Sequence, residues 1–324
     1  MRFTSIASGS SGNCTYIGTE NTHILVDVGV NMKAVNTGLH ELDLDLSDVN
    51  AIFLTHEHID HIRAVGTISR KYDIPVYGTL GTLREVMLNR TLGDFSHEKL
   101  FPIIPDKRIG IGDLSVLPFS IYHDAADPLG YRIETCDRSD EEEPFGSKKA
   151  VTDYEFPVCQ NEAVNDGEAE KGFVTELKAG MDPESFARAL EKNRSVKKVA
   201  VATDLGHYDD YIASHLMDLD AMVIESNHDI RMLSTGPYPV SLKRRILSDH
   251  GHLSNDNCGR LLDSILSSHV KHVFLGHLSK ENNLPDLALK TVQKEIDGSD
   301  SEHKAKEIDI TVAHRDRISE IIEL

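Results

Sequence analysis

Thr55-His56-Glu57-His58-Ile59-Asp60-His61 follows directly on an apolar, strand-like segment, Ala51-Ile52-Phe53-Leu54. Three imidazoles and a carboxylate crowded into H-x-H-x-D-H suit zinc and neighbouring first-row divalent ions. They also offer more ligands than one catalytic ion with an open position can use, so the run points to two metals. The competing reading is a solvated, histidine-rich turn. With 17 His in 324 residues, chance seldom places that type of residue in this order.

Partners for the run recur in one form, a short β-branched or apolar stretch that ends on a ligand-type residue. Ile24-Leu25-Val26 leads to Asp27, Leu117-Pro118-Phe119-Ser120-Ile121-Tyr122 to His123, Val199-Ala200-Val201-Ala202-Thr203 to Asp204, and Val273-Phe274-Leu275-Gly276 to His277. Buried strands read as such continuous runs, and ligands just past their ends sit on a rigid scaffold while the loops remain free to vary. Taken singly, each of these residues reads as an ordinary polar strand end. Their shared placement is what singles them out.

The chain is 40% hydrophobic over 324 residues, enough to bury a sizeable core. It opens on Met1-Arg2-Phe3-Thr4-Ser5, without the apolar core of a signal peptide, and holds no apolar stretch near the roughly 20 residues of a spanning helix. A soluble, cytoplasmic protein is expected, with no membrane partner. Cys14, Cys136, Cys159 and Cys258 lack C-x-x-C pairing, so they read as reduced thiols rather than disulfides or a thiolate zinc site. A net charge of -19 argues against a protein that coats nucleic acid. It leaves room for an enzyme acting on phosphodiesters, because bound divalent ions turn the local field positive.

Up to about Thr135 the pattern is short strands with one clear helix, roughly Ile62 to Tyr72, before a strand at Val76-Tyr77. From about 136 to 171 the texture turns acidic and aperiodic, as in Ser139-Asp140-Glu141-Glu142-Glu143-Pro144, which reads as a variable insertion. Strands return at Val199 and Ala221 to Ile224, with helices near Pro183 to Lys192, Ser241 to Ser248 and Asn255 to Ser267. A last strand is expected at Ile308 to Val312. Two β-rich halves closed by helices suit an α+β architecture of two packed sheets with helices outside.

H-x-H-x-D-H with a later His, Asp and His resembles the metallo-β-lactamase superfamily, over nearly the whole span from Ser8 to His277. The resemblance implies an αββα sandwich, with two mixed β-sheets flanked by helices and metals at one sheet edge, built as a single domain over 1–324 with the acidic insertion as an excursion. It further implies that His56, His58 and His123 hold one divalent ion and that Asp60, His61 and His277 hold the other. Asp204 would bridge them, and Asp27 would orient ligand loops without binding metal. The same residues suit Zn2+ or Mn2+.

Glu225-Ser226-Asn227-His228-Asp229 and Gly251-His252-Leu253-Ser254 are similar in order and position to motifs of the tRNA 3′-end endonucleases of this superfamily. That similarity implies a proton relay of Asp60, Glu225 and His252 to the leaving oxygen. Without it, Glu225 and His252 read as a surface acid and a helix-capping histidine. Together with Ser8-Gly9-Ser10-Ser11-Gly12-Asn13, Gly236-Pro237-Tyr238-Pro239 and His277-Leu278-Ser279-Lys280-Glu281-Asn282-Asn283, these motifs most resemble the bacterial YycJ/WalJ-type exonuclease subgroup. This implies a metal-dependent nuclease with 5′ to 3′ exonuclease activity, DNA favoured over RNA, acting in repair. A hydrolase of thioesters or lactones on the same scaffold is the alternative.

For the substrate's phosphates the sequence offers Ser8, Ser11 and Asn13 as a backbone nest, or else a plain tight turn. It also offers Lys243, Arg244 and Arg245 as a cationic cluster, or else a solvated helix face. Oligomeric state is not encoded in any motif.

Overall fold

The computed structural model describes residues 1–94, 97–136, 196–267, 269–299 and 303–324. Its strands are β1 (Arg2–Ala7), β2 (Cys14–Gly18), β3 (His23–Val26), β4 (Ala51–Phe53), β5 (Val76–Gly78), β6 (Leu100–Pro102), β7 (Ile109–Ile111), β8 (Leu114–Ser120), β9 (Leu129–Thr135), β10 (Lys198–Ala202), β11 (Ala221–Glu225), β12 (His272–Gly276), β13 (Asp309–Val312) and β14 (Ile322–Glu323). They form two seven-stranded sheets in the orders β14-β1-β2-β3-β4-β5-β6 and β13-β12-β11-β10-β9-β8-β7. Each sheet is mixed: β3 to β6 and β10 to β13 run parallel, while the remaining neighbours pair antiparallel.

Side-chain alternation explains why the parallel strands read as unbroken apolar runs. In β10, Val199 and Val201 enter the core between the sheets, whereas Ala200 and Ala202 face the helices outside. β11 repeats this with Val223 inward and Met222 and Ile224 outward, and β3 does so with Ile24 and Val26 against Leu25. Both faces are covered, so neither face can be polar. At the centre Phe53 stacks on Tyr77 at 4.9 Å and meets the edge of Tyr131 at 5.5 Å, and the Tyr131 hydroxyl donates to the Leu54 carbonyl at 2.5 Å.

Helices Met32–His40, Val65–Tyr72 and Leu80–Leu88 cover the first sheet, and Asp210–Leu216, Asn255–Ile265 and Pro285–Asp297 cover the second. The expected helix after His61 is split into Ile59–Ile62 and Val65–Tyr72. The first third also carries helices at Met32–His40 and Leu80–Leu88, contrary to the expectation of one. Both begin on side-chain caps, Asn31 accepting from the Ala34 N–H and Thr79 from the Thr82 N–H. The acidic stretch expected at about 136–171, apart from Cys136 at its edge, and the helix expected near Pro183 to Lys192 lie outside the described residues. Among the described residues Cys14 and Cys258 are free, buried thiols, and no helix is long and apolar enough to cross a membrane.

The two ends of the chain meet in the first sheet. β14 pairs with β1, the Ser319 N–H donates to the Ser5 carbonyl at 2.8 Å, and the Ser8 N–H donates to the His314 carbonyl at 2.9 Å.

Candidate metal centre

Asp27 follows β3, His56 follows β4, His123 follows β8, Asp204 follows β10 and His277 follows β12, all at one edge of the sandwich. Three of these residues leave their strands in left-handed backbone conformation, Asp27 at φ 60°, Asp204 at φ 59° and His277 at φ 54°. That conformation is uncommon outside glycine and turns each side chain sharply off the strand direction.

Hydrogen bonds then lock the ligand loops to one another. Asp27 is buried and accepts from the Thr55 N–H at 2.9 Å and the Thr55 hydroxyl at 2.8 Å, with its Oδ2 lying 2.7 Å from His61 Nδ1. The Asn13 N–H donates to the Asp60 carbonyl, the Gly29 N–H to the Asn13 carbonyl and the Val28 N–H to the His61 carbonyl, each at 2.8 Å. Gly29 makes this meeting possible. A Cβ there would stand 1.5 Å from the Asp60 carbonyl oxygen, so no other residue fits without moving the Asp60-His61 turn.

The side chains gather in overlapping groups. His56, His58 and His123 bring their ligand atoms within 4.8 Å of one another, as do Asp60, His61 and His277, and again His56, His61 and Asp204. Asp204 reaches both sides, with Oδ2 3.0 Å from His61 Nε2 and Oδ1 3.7 Å from His123 Nε2 and 3.4 Å from His277 Nδ1. The donors are imidazole nitrogens and carboxylate oxygens, the set that divalent first-row ions take. His56 Nε2 and His277 Nε2 are buried without a hydrogen-bond partner, and buried polar atoms left so call for an ion or a water. The residues present therefore fit chelated divalent metals.

At His56 and Asp204 the electrostatics suit ligation, whereas at His61 an ion would have to displace a proton. Burial, with His61 beside it, holds the His56 pKa well below the usual imidazole value, leaving a neutral ring able to donate a lone pair. Burial also disfavours charge on His61, but Asp204 and Asp27 outweigh it and raise that pKa well above the usual value. Asp204 stays ionised: burial opposes its charge, and His277 and His61 hold its pKa well below the ordinary carboxylate range.

Glu225, fully buried at the end of β11, accepts from His277 Nδ1 at 2.8 Å and His252 Nδ1 at 2.9 Å on one oxygen. Its other oxygen accepts from the backbone N–H groups of Leu205 at 2.7 Å and Leu253 at 3.1 Å. Burial disfavours the anion, but His252 and His277 bring its pKa down to about 2. Asp60 does not continue this chain in the order expected. Its Oδ2 lies 3.6 Å from His277 Nε2 and 3.8 Å from His61 Nε2, so His277 stands between it and Glu225.

The residues expected at phosphates divide. Ser8 and Asn13 are buried: the Ser8 hydroxyl accepts from the His277 N–H at 2.8 Å, and the Asn13 amide accepts from the Gly9 N–H at 2.8 Å and lies 3.0 Å from His61 Nε2. These side chains brace ligands. Ser11 and Arg244 are exposed, Lys243 donates to the Ser234 carbonyl at 2.7 Å, and Arg245 is paired with Asp124, whose other oxygen lies 3.4 Å from His123 Nε2.

Thr55, Gly29, Asp124 and Arg315 were not singled out by the sequence. Arg315 donates to the Leu278 carbonyl at 2.6 Å and would stand 2.7 Å from a Cβ on Gly9, so it closes the Ser8-Gly9 turn against the His277 loop. Only Thr55 had a readable signal, its place between the strand and the first ligand.

Two sheets with helices outside and histidine and carboxylate clusters at one edge define a metallo-β-lactamase-fold metalloprotein. The model of the metallo-beta-lactamase superfamily matches residues 7–137. Exodeoxyribonuclease YycJ of Bacillus anthracis is 30% identical over 297 residues, 92% of this chain and 89% of that one. Exodeoxyribonuclease WalJ of Streptococcus pneumoniae serotype 2 is 31% identical over 302 residues, 93% of this chain and 90% of its own. The crystal structure of the metallo-beta-lactamase fold protein YhfI from Bacillus subtilis has a TM-score of 0.59 at 14% identity, with 98% of each chain covered, a likeness of fold. The chain thus belongs to the YycJ/WalJ family of the metallo-β-lactamase superfamily.

Proposed function

We propose that this protein is a metal-dependent nuclease that hydrolyses phosphodiester bonds, acting as a 5′ to 3′ DNA exonuclease in repair, with DNA preferred to RNA. The observation that carries the reading is the Glu225-His252 pair beside Asp204, His252 Nδ1 lying 3.7 Å from Asp204 Oδ1. A thioester or lactone hydrolase has no need of a second, separately held acid at the metal edge. The names of the YycJ and WalJ relatives support the nucleic-acid substrate and the DNA preference.

Two divalent ions, Zn2+ or Mn2+, held by His56, His58 and His123 and by Asp60, His61 and His277 with Asp204 shared, would supply an activated water and offset charge on the scissile phosphate. The protein's own groups do the rest. Asp27 fixes His61 through Nδ1, and Glu225 fixes His277 in the same way, which would leave Nε2 of each for an ion. Burial opposes charge on His252, but Glu225 raises its pKa, which favours the protonated ring that would give its Nε2 proton to the departing oxygen. Ser11 and Arg244, with Lys243, are the groups assigned to flanking phosphates.

The reading includes a cytoplasmic protein in which 1–324 is one domain and the acidic stretch an insertion. Its test is digestion of 5′- and 3′-labelled single- and double-stranded DNA and RNA with each metal, run beside a thioester and lactone panel. Mononucleotide release from the 5′ end of DNA is the expected result. Thioester or lactone turnover far above any nuclease activity would overturn it.

A further inference from the structure

Three loops at the metal edge each present a ring to solvent next to a residue of the centre. Tyr122 precedes His123, His207 comes three positions after Asp204, and His250 comes two before His252. The rings meet around Tyr122: His207 lies 5.7 Å away with its plane tilted by 49°, and His250 lies 6.2 Å away, edge-on at 85°. Tyr122 is 39% exposed, the one exposed Tyr or Phe among the described residues, while His207 and His250 are also exposed.

The cluster is held rather than loose. The Tyr122 hydroxyl donates to Asp209 Oδ2 at 2.9 Å, and the Gly206 N–H donates to the Tyr122 carbonyl at 2.8 Å. A Cβ on Gly206 would stand 2.4 Å from the Asp249 carbonyl oxygen and 2.6 Å from the Gly251 nitrogen, so the loops bearing the three rings touch through backbone. Fixed, exposed π-faces beside a phosphate-cleaving site match what single-stranded nucleic acid needs, because every base has a face to stack and stacking tolerates sequence. A chain of net charge -19 also has reason to grip a polyanion through its bases.

We propose that the Tyr122 ring, bordered by His207 and His250, is the face on which the base of the nucleotide next to the scissile phosphate stacks. This rests on the nucleic-acid reading above. The base is recognised by its aromatic face, without readout of its edges, so the platform sets affinity and position and leaves sequence open.

The test uses metal-loaded, full-length protein and two oligodeoxynucleotides that differ only in an abasic residue at the nucleotide next to the cleaved bond. The parent should show a KM for the abasic strand higher by on the order of tenfold, the scale of one stacked base. In a His207→Ala/His250→Ala variant, and in Tyr122→Leu, that ratio should fall toward one at unchanged metal content, while Tyr122→Phe should keep it. His207 and His250 are exposed, so the double variant keeps the test open should Tyr122→Leu fail to fold. Equal KM values for both strands in the parent, or an unaltered ratio in the double variant, would overturn the platform and leave the nuclease reading standing. Failure of the parent to cleave either strand would remove both.

Discussion

His252 and His277 donate their Nδ1 protons to the same oxygen of Glu225, at 2.9 and 2.8 Å. An ionised carboxylate can only accept, so one group orients both rings and holds a proton on Nδ1 of each. Glu225 therefore serves the metal side and the leaving-group side together, and its loss should not mimic the loss of His252. His252→Ala should lower turnover by about 10²–10⁴-fold with metal content unchanged. Glu225→Gln should lower turnover and also weaken one of the two ions. Measuring kcat beside metal stoichiometry separates the two variants, and a Glu225→Gln protein with full metal content would contradict the shared role.

Asp204 lies between the two histidine groups, 3.0 Å from His61 Nε2 and 3.7 Å from His123 Nε2. Asp204→Asn should therefore reduce occupancy of both ions. Asp27→Asn, acting only through His61 and Thr55, should cost about 10–100-fold in affinity for one. Titration of metal-free protein with Zn2+ reads both. Equal losses from the two substitutions would show that Asp204 is not shared.

Gly29→Ala should be far more damaging than an alanine usually is. The added methyl would meet the Asp60 carbonyl at 1.5 Å and push aside the turn that carries Asp60 and His61. Lower metal content together with a reduced melting temperature is the expected outcome, and an intact metal site in a well-folded Gly29→Ala protein would contradict it.

Away from the centre, Glu134 pairs with Arg132 at 2.7 Å and with Arg108 at 2.9 Å. Burial raises its pKa, but Arg108 and Arg132 outweigh that and bring it below the ordinary value. A depressed carboxylate stabilises the fold fully above its unfolded pKa and ceases to do so as the pH falls through the folded value. Glu134→Gln should thus cost about 1 kcal/mol near neutral pH. The gap to the parent should begin to narrow near pH 4, where the unfolded glutamate takes up its proton, and close as the pH falls through the lower folded value. Urea denaturation across that range measures it, and a gap that persists into acid would point to packing.

The sandwich and its metal edge were legible because both depend on local pattern. Apolar runs ending at Asp27, His56, His123, Asp204 and His277 record strands covered on both faces, and H-x-H-x-D-H records the crowding of donors. Helices Met32–His40 and Leu80–Leu88 were also readable from their caps, Asn31 and Thr79, but short strands around them masked the signal. What no pattern carried was contact across the fold. Glu225 meets His277 because β11 and β12 pair in parallel with Glu225 opposite Gly276, a register set by the sheet. Gly29 and Arg315 are likewise explained by neighbours tens to hundreds of positions away, Asp60 for one and Leu278 and Gly9 for the other.

The Ser8 to His314 backbone bond bears on how the protein is made. Ser8 holds the His277 backbone, and Ser8 is itself held by a residue near the other end of the chain. Translation delivers the H-x-H-x-D-H run early, yet the turn that fixes its last partner stays incomplete until His314 and Arg315 have left the ribosome. Contacts of such separation form late and slowly. The support of the His277 loop therefore closes only after every ligand residue has been made, through a contact between segments far apart in sequence.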